Sequence, residues 1–569
     1  MPPTPPPAPP PPPARLGFAV QPTSAEEGQP LTPAPQVAIQ DALGNTVPSS
    51  TNVVTVALGT NPGGGTLAGT TTVNAVNGVA TFNGLTIDRP GSDYTLVATS
   101  GALSSTTSAA FAIHPPAPAK LGFAVQPTPT QGTRPITPAP QVAIQDVLGN
   151  TVPSATSAVT VAMGPNPGGG TLAGTTTVNA VNGVATFNGL TIDRPGSGYR
   201  LVATSGALRS EPSAAFAIRL TFTSVGSGPG ATCGVTTASA AYCWGYNFSG
   251  ELGDGTTTSQ PSPVLVAGGL SFATASVLGS HTCGVTTTGA AYCWGYNGRG
   301  QLGDGTAIDR SSPVLVSGGL TFAAVGPAGG DFTCGVTTAG AGYCWGANEV
   351  GQLGDGTTTS RTSPVLVAGG QTFSMVTGGS KHACGVTMAG AAYCWGFNGQ
   401  GLLGDGTTTH RTSPVLVAGA LTFATISARY QHTCGVTTAG TTYCWGVNDR
   451  GQLGDGTTTS RSSPVLVAGG LTLAAVSAGD NHNCGVTPAG AAYCWGYNFK
   501  GRLGDGTSTS RLSPVPVVGG LSFATVSAGR NHTCGVTTAG AAYCWGENDL
   551  GQLGTGNTSS SLVPVLVVQ

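Results

Sequence analysis

Apolar and β-branched residues come in runs of four to eight along most of this chain, and clusters of Gly, Pro, Asn, Asp, Ser and Thr separate the runs. Runs of that length, alternating or continuously apolar, are strand signals, and the clusters between them are turn signals. Between residues 15 and 218 the runs are QVAIQD, VVTVAL or AVTVAM, GVATFNGLTI, and YTLVATS or YRLVATS, with LGN, NPGGG, VNG and RPGS between them. Arg15 to Ile113 recurs as Lys120 to Ile218 at a constant offset of 105, across the linker HPPAPA. About seven short strands in about 100 residues predict a β-sandwich for each copy.

From residue 219 a different unit takes over and occurs seven times. Its first cysteines, Cys233, Cys283, Cys334, Cys384, Cys434, Cys484 and Cys534, are 50 residues apart except for one step of 51. Each unit reads as four strands: LTFATVSAG (Leu521 to Gly529 in the last), HTCGVT, AAYCWG, and SPVLV or a variant, with a long link before the fourth. Four short strands per unit with no helix between them describe a propeller blade, and four to eight blades close a ring. The fold class expected is therefore all-β: two tandem β-sandwiches followed by a seven-bladed β-propeller. Trp244, Trp294, Trp345, Trp395, Trp445, Trp495 and Trp545 hold one equivalent position, two residues after a tyrosine. An aromatic repeated in every copy is a core anchor rather than a ligand cage. Ring closure is open at this point: it could fall within 219–268 or pair strands from the two ends of the propeller.

Composition narrows the function classes. Only 7% of the 569 residues are charged, against about 25% in typical soluble domains. Lysine occurs at Lys120, Lys381 and Lys500 alone, and the formal net charge is −2. That leaves no basic stripe for a phosphate backbone, which argues against nucleic acid as a partner. No apolar stretch approaches the 18 residues of a transmembrane helix. Residues 2–13 are nearly all proline, so 1–14 is expected to be a disordered, extended stem. This N-terminus lacks the basic and apolar regions of a signal peptide.

Two family resemblances emerge from these motifs. QDxLGNTVPS, the glycine-rich turn and GVATFNGLTI look like the bacterial immunoglobulin-like domains strung together in surface proteins, which places one domain at 15–114 and a second at 120–218. They differ from antibody-type domains in lacking a cysteine pair and a tryptophan. The phrases His-Thr-Cys-Gly-Val, Tyr-Cys-Trp-Gly-x-Asn-x-x-Gly-Gln-Leu-Gly-Asp-Gly and Ser-Pro-Val over 219–569 resemble the regulator of chromosome condensation repeat family. That resemblance implies a seven-bladed propeller and a range of activities, among them nucleotide exchange on a small nuclear GTPase, scaffolding, ubiquitin-ligase-associated roles and secreted inhibition.

All 14 cysteines lie in the seven repeats, two in each: Cys233 with Cys243, Cys283 with Cys293, Cys334 with Cys344, Cys384 with Cys394, Cys434 with Cys444, Cys484 with Cys494 and Cys534 with Cys544. An even count at fixed spacing across a hairpin predicts seven disulfides and an oxidising compartment. The alternative is a set of small, reduced core residues. Disulfides place the protein outside the cell or on a bacterial cell surface, whereas the missing signal peptide leaves a cytoplasmic location as the alternative. His281, His382, His432, His482 and His532 stand two residues before a cysteine, but Ala231 and Phe332 replace them in two copies and no fourth zinc ligand accompanies them. They read as hydrogen-bonded structural residues. One aspartate per GDG loop, at 254, 304, 355, 405, 455 and 505, supplies neither the oxygens of a calcium site nor the paired acids of a glycosidase. No GxSxG, Walker or HExxH motif is present. The expectation is a protein that is not an enzyme and carries no metal or cofactor.

Function is then sought where the copies disagree. After each WG the residues vary, giving Tyr246, Phe248, Tyr296, Arg299, Phe397, Gln400, Asp449, Arg450, Tyr497, Phe499 and Lys500. A second variable column before the histidine contains Lys381, Tyr430, Asp480 and Arg530. Aromatics and arginine are the residues enriched at binding hot spots. These positions predict a protein- or glycan-binding face on a monomeric binding or adhesion module, with an exchange factor for a small GTPase and a secreted enzyme inhibitor as alternatives.

Overall fold

The computed structural model describes residues 11–131, 134–167 and 169–568. Most of the proline stem expected over 1–14 lies outside the described residues. Apart from one three-residue turn of 3-10 helix at Phe499–Gly501, every described element is a strand. The chain divides into two compact units near residue 217.

In the first unit the two copies fold alike, with twelve short strands each among the described residues. Arg15–Val20 pairs with Gln36–Gln40, which pairs with Val79–Thr81; Val53–Leu58 lies between Leu96–Thr99 and Thr72–Asn74. Period-two alternation in VVTVAL turns Val54 and Val56 inward, where they join Val37, Ile39, Phe82, Ile87, Tyr94 and Leu96 in one core. The count exceeds the seven strands predicted because turns cut the apolar runs. GVATFNGLTI becomes Val79–Thr81 and Thr86–Ile87, divided at Gly84, whose φ of +73° an L-residue avoids.

The second unit contains seven four-stranded antiparallel sheets among the described residues, here called blades 1 to 7 in chain order. Blade 1 is Phe222–Ser227, Ala231–Thr236, Ala241–Gly245 and Gln260–Leu265, paired in that sequence. The fourth strand is a sheet edge, which explains the proline of SPVLV: Pro has no N–H for a ladder and blocks edge-to-edge pairing. Each sheet is built from one repeat, so closure needs no strand exchange. The last blade instead contacts the first, through the Trp244 indole donating to the Gln552 carbonyl at 3.0 Å and the Ser227 N–H donating to Ser527 Oγ at 2.9 Å.

The constant residues build these blade-to-blade contacts. Trp294, Trp345, Trp395, Trp445 and Trp495 each donate Nε1–H to a backbone carbonyl of the preceding blade at 2.9–3.1 Å. The first glycine of the GDG loop makes room for that indole. At Gly253 φ is +69° and a Cβ would stand 2.6 Å from Trp294 Nε1, so a side chain is excluded both by backbone conformation and by space. The same contact recurs at Gly554, where the loop reads Gly-Thr-Gly and Trp244 is the neighbour. Buried histidines bridge blades as well: His281 with Thr333, His382 with Thr433, His432 with Asn483, His482 with Thr533 and His532 with Thr232. Burial pushes His281, His382 and His532 down to about 3 and His432 to about 4, so they are neutral imidazoles at pH 7. The paired cysteines face each other across the second and third strands, as at Cys233 and Cys243, and form seven disulfides; no described cysteine is free.

Candidate binding face of the propeller

Antiparallel order sorts the connections of every blade onto two ends. The link between strands one and two and the long link between strands three and four share one end, called the loop end. The hairpin between strands two and three shares the other, the hairpin end, with the connections between blades. Both variable columns lie on the loop end, and the residue just before each histidine position meets the residue after WG: the N–H of Tyr246 donates to Gly230 O at 2.9 Å, that of Tyr296 to Ser280 O at 2.9 Å, that of Phe397 to Lys381 O at 2.8 Å and that of Tyr497 to Asn481 O at 2.9 Å. Lys381 immediately precedes His382, whereas Tyr430, Asp480 and Arg530 stand two residues before their histidines. The sequence column therefore merged two adjacent positions.

The outer ring of candidates separates into protruding and packed residues. Phe248 is 76% exposed and Phe499 52% exposed. Each stacks on the tyrosine of its own loop, Tyr246 at 6.4 Å and Tyr497 at 6.3 Å between centroids. Arg450 of blade 5 lies 5.1 Å from the Tyr497 ring centre, and the buried Arg502 lies 4.8 Å from it. Lys500 pairs with Glu547 at 2.9 Å and with Asp549, and Arg299 pairs with Glu349 at 3.5 Å. Phe397 is half-buried against His410, 4.6 Å between centroids, and Tyr296 is half-buried too. Gln400 and Asp449 are exposed.

The inner ring surrounds the mouth of the central channel, a cavity of about 260 Å³ lined by Pro229, Gly279, Ser280, Gly329, Gly330, Asp331, Arg429, Tyr430, Asp480 and Arg530. Arg429 ends the first strand of blade 5 and reaches across the ring. Its Nε donates to Asp480 Oδ1 at 3.2 Å, and its Nη1 donates to the carbonyls of Ser227 at 2.9 Å and Ala528 at 3.3 Å, in blades 1 and 7. Burial lowers its pKa, opposed by the Asp480 charge. Tyr430 follows in the left-handed region, φ +37°, where blade 2 has Gly279 at φ +62°. A bulky residue held there stores strain, a feature that clusters at functional sites.

Sequence reading named Tyr430 and Arg530 but missed Arg429, although the position is glycine in five copies and leucine in one. It also missed the buried column inside GQLGDG, where Glu251, Leu402 and Arg502 replace glutamine. Burial pushes the Glu251 carboxyl up to about 7, against hydrogen bonds from backbone N–H groups. The GDG aspartates are structural. Asp304 accepts from Asn297, Thr306 and Arg310, and blades 3 to 6 repeat this set. Burial alone would raise Asp304, but the bonds from Thr306 and Arg310 outweigh it and hold the pKa low. Among the described residues no group of His, Cys, Asp and Glu is placed to hold a metal ion.

Comparison with known proteins agrees with this architecture. Residues 329–569 match the RCC1-like domain, and residues 288–336 match the regulator of chromosome condensation (RCC1) repeat. Human WBSCR16 is similar in structure, with 20% identity and a TM-score of 0.53 over 58% of this chain and 94% of that one. A yeast RCC1 (Prp20) structure, solved with Kap60, gives 18% identity and a TM-score of 0.53 over 62% and 85%. Prp20p from Saccharomyces cerevisiae, described with its binding to Gsp1p and histones, gives 19% and 0.53 over 61% and 88%. At these identities the likeness is one of fold. No curated protein sequence matches the chain. No helix of the described residues is long and apolar enough to cross a membrane.

Proposed function

We propose that the propeller is a non-enzymatic protein-binding module working in an oxidising compartment, outside the cell or on a bacterial cell surface, with residues 15–114 and 120–218 as immunoglobulin-like spacers. The observation that carries this reading is the meeting of both variable columns on one end, where Phe248 and Phe499 stand exposed, each stacked on the tyrosine of its own loop. Exposed aromatics beside arginine form the composition of a protein hot spot. Seven buried disulfides support the compartment. In the spacers, Tyr94 and Tyr199 each donate Oη–H to a carbonyl five residues upstream, a corner device of immunoglobulin-like sandwiches.

The test is a pull-down from cell-surface extract with the full chain, followed by the Phe248→Ala, Phe499→Ala double variant. Loss of the captured protein with an unchanged melting temperature is expected; undiminished capture would sink this reading. A second reading, regulation of a small GTPase, rests on Prp20p, described as binding Gsp1p. Accelerated release of labelled guanine nucleotide from a small GTPase would establish it in place of the first.

A further inference from the structure

The channel mouth carries a cationic group that the fold leaves incompletely used. Arg429 is built in: its side chain is 5% exposed, and three protein acceptors engage its Nε and Nη1. Its Nη2 has no hydrogen-bond partner and is itself closed to solvent, although Arg429 lines the mouth cavity. Two donors held in a buried, pre-oriented guanidinium are costly to leave unspent. Arg530, 61% exposed, lines the same cavity, and its Nε lies 3.8 Å from Asp480 Oδ2. One carboxylate, Asp480, thus serves two guanidiniums on the side of blades 5 to 7. The other acid of the lining, Asp331, sits across the mouth on blade 3, where burial raises its pKa and Arg299 opposes that. The strained Tyr430 borders Arg429 and stays 40% exposed.

We propose that the mouth is an anchor site for a carboxylate: an acidic side chain of a protein segment enters the cavity, pairs with the exposed Arg530 beside the Arg429 guanidinium, and accepts from Arg429 Nη2 once a small shift of the mouth side chains opens that donor. Guanidinium presents paired donors that match a carboxylate, and a cavity of about 260 Å³ suits one side chain rather than a folded element. This rests on the protein-binding reading of the loop end and deepens it.

The experiment measures binding of fluorescein-labelled octaglutamate, octalysine and a Gly-Ser octapeptide to the full chain by anisotropy at low salt. Octaglutamate alone should bind. Arg530→Ser, a change at an exposed side chain, should weaken it about tenfold, and Arg429→Met by about a hundredfold. Arg429→Met is read only if its melting curve retains one cooperative transition; Arg530→Ser carries the test otherwise. Glutarate should displace the peptide at lower concentration than inorganic phosphate. Equal octaglutamate binding by wild type and Arg530→Ser, preference for octalysine, or stronger displacement by phosphate would each overturn the assignment. If a captured partner depends on Phe248 and Phe499 but is indifferent to Arg429 and Arg530, the anchor fails while the protein-binding reading stands; indifference to all four removes both.

Discussion

The two ends of the propeller are made by the same seven repeats and differ in chemistry. At the hairpin end the turns read TTAG, TTAS, TTTG, TMAG or TPAG and the blade connections read as VAGGL or close variants, without one Asp, Glu, Lys, Arg or His. Their polar atoms are spent on the backbone: Thr286 Oγ1 accepts from Ala290 N at 3.1 Å, and Phe272 N donates to Ser239 O at 2.7 Å. Every charged side chain of blades 1 to 7 belongs instead to the loop end, above a layer of buried imidazoles and indoles. A self-satisfied backbone turn can be copied unchanged. A charged loop offers side chains that differ from blade to blade, and only there do the copies diverge in a way a partner can read.

Acid should expose this difference most strongly. Five imidazoles at the loop end are buried and have folded-state pKa values below the unfolded value near 6.5. Between those limits the unfolded chain binds the extra protons, so stability is full above about pH 6.5 and is lost as pH falls toward 4, by about 1.4 kcal/mol per pH unit for each group. Glu251, raised to about 7, opposes this as a single group. The melting temperature should fall steeply from pH 7 to 5, and hydrogen exchange should open loop-end amides first. A flat profile would show the histidines to be solvated.

Next in size is Trp445→Ala. It empties a fully buried site that packs against Phe423 and donates to Leu402 O, for a loss of about 3–5 kcal/mol in urea denaturation. The disulfides tie the strands between the two ends. The Cys434→Ala, Cys444→Ala pair should cost about 2–3 kcal/mol, the loop-closure entropy of so short a ring. The smallest effect is predicted at the hairpin end, where Met388 is 72% exposed. Met388→Lys should change stability by less than about 0.5 kcal/mol and leave partner capture intact; lost capture would place the binding surface at the wrong end.

The blades were legible in the sequence because each strand announces itself locally, by a β-rich run between glycine-rich turns. The cysteine pairs were legible for the same reason, since a hairpin brings near neighbours together. The inner site was legible only in part. Tyr430 and Arg530 stand out as departures in a variable column, but Arg429 is read as a strand end until the ring brings Ser227, 202 residues distant, to its Nη1. Lys381 does not belong with Tyr430: Gly379 N donates to His382 O at 2.7 Å around Ser380 and Lys381, just as Arg429 pairs with His432 around Tyr430 and Gln431, so Lys381 is the counterpart of Gln431.

By itself the sequence determined the strand runs, the seven-fold repetition, the cysteine pairing and the poverty of charge, all properties of residues close together in the chain. Tertiary structure alone decided how the ring closes and that a buried arginine reaches three other blades at the channel mouth. These depend on the packing of one blade against the next, where the contacting residues are a whole repeat or more apart and no local pattern records which of them will meet.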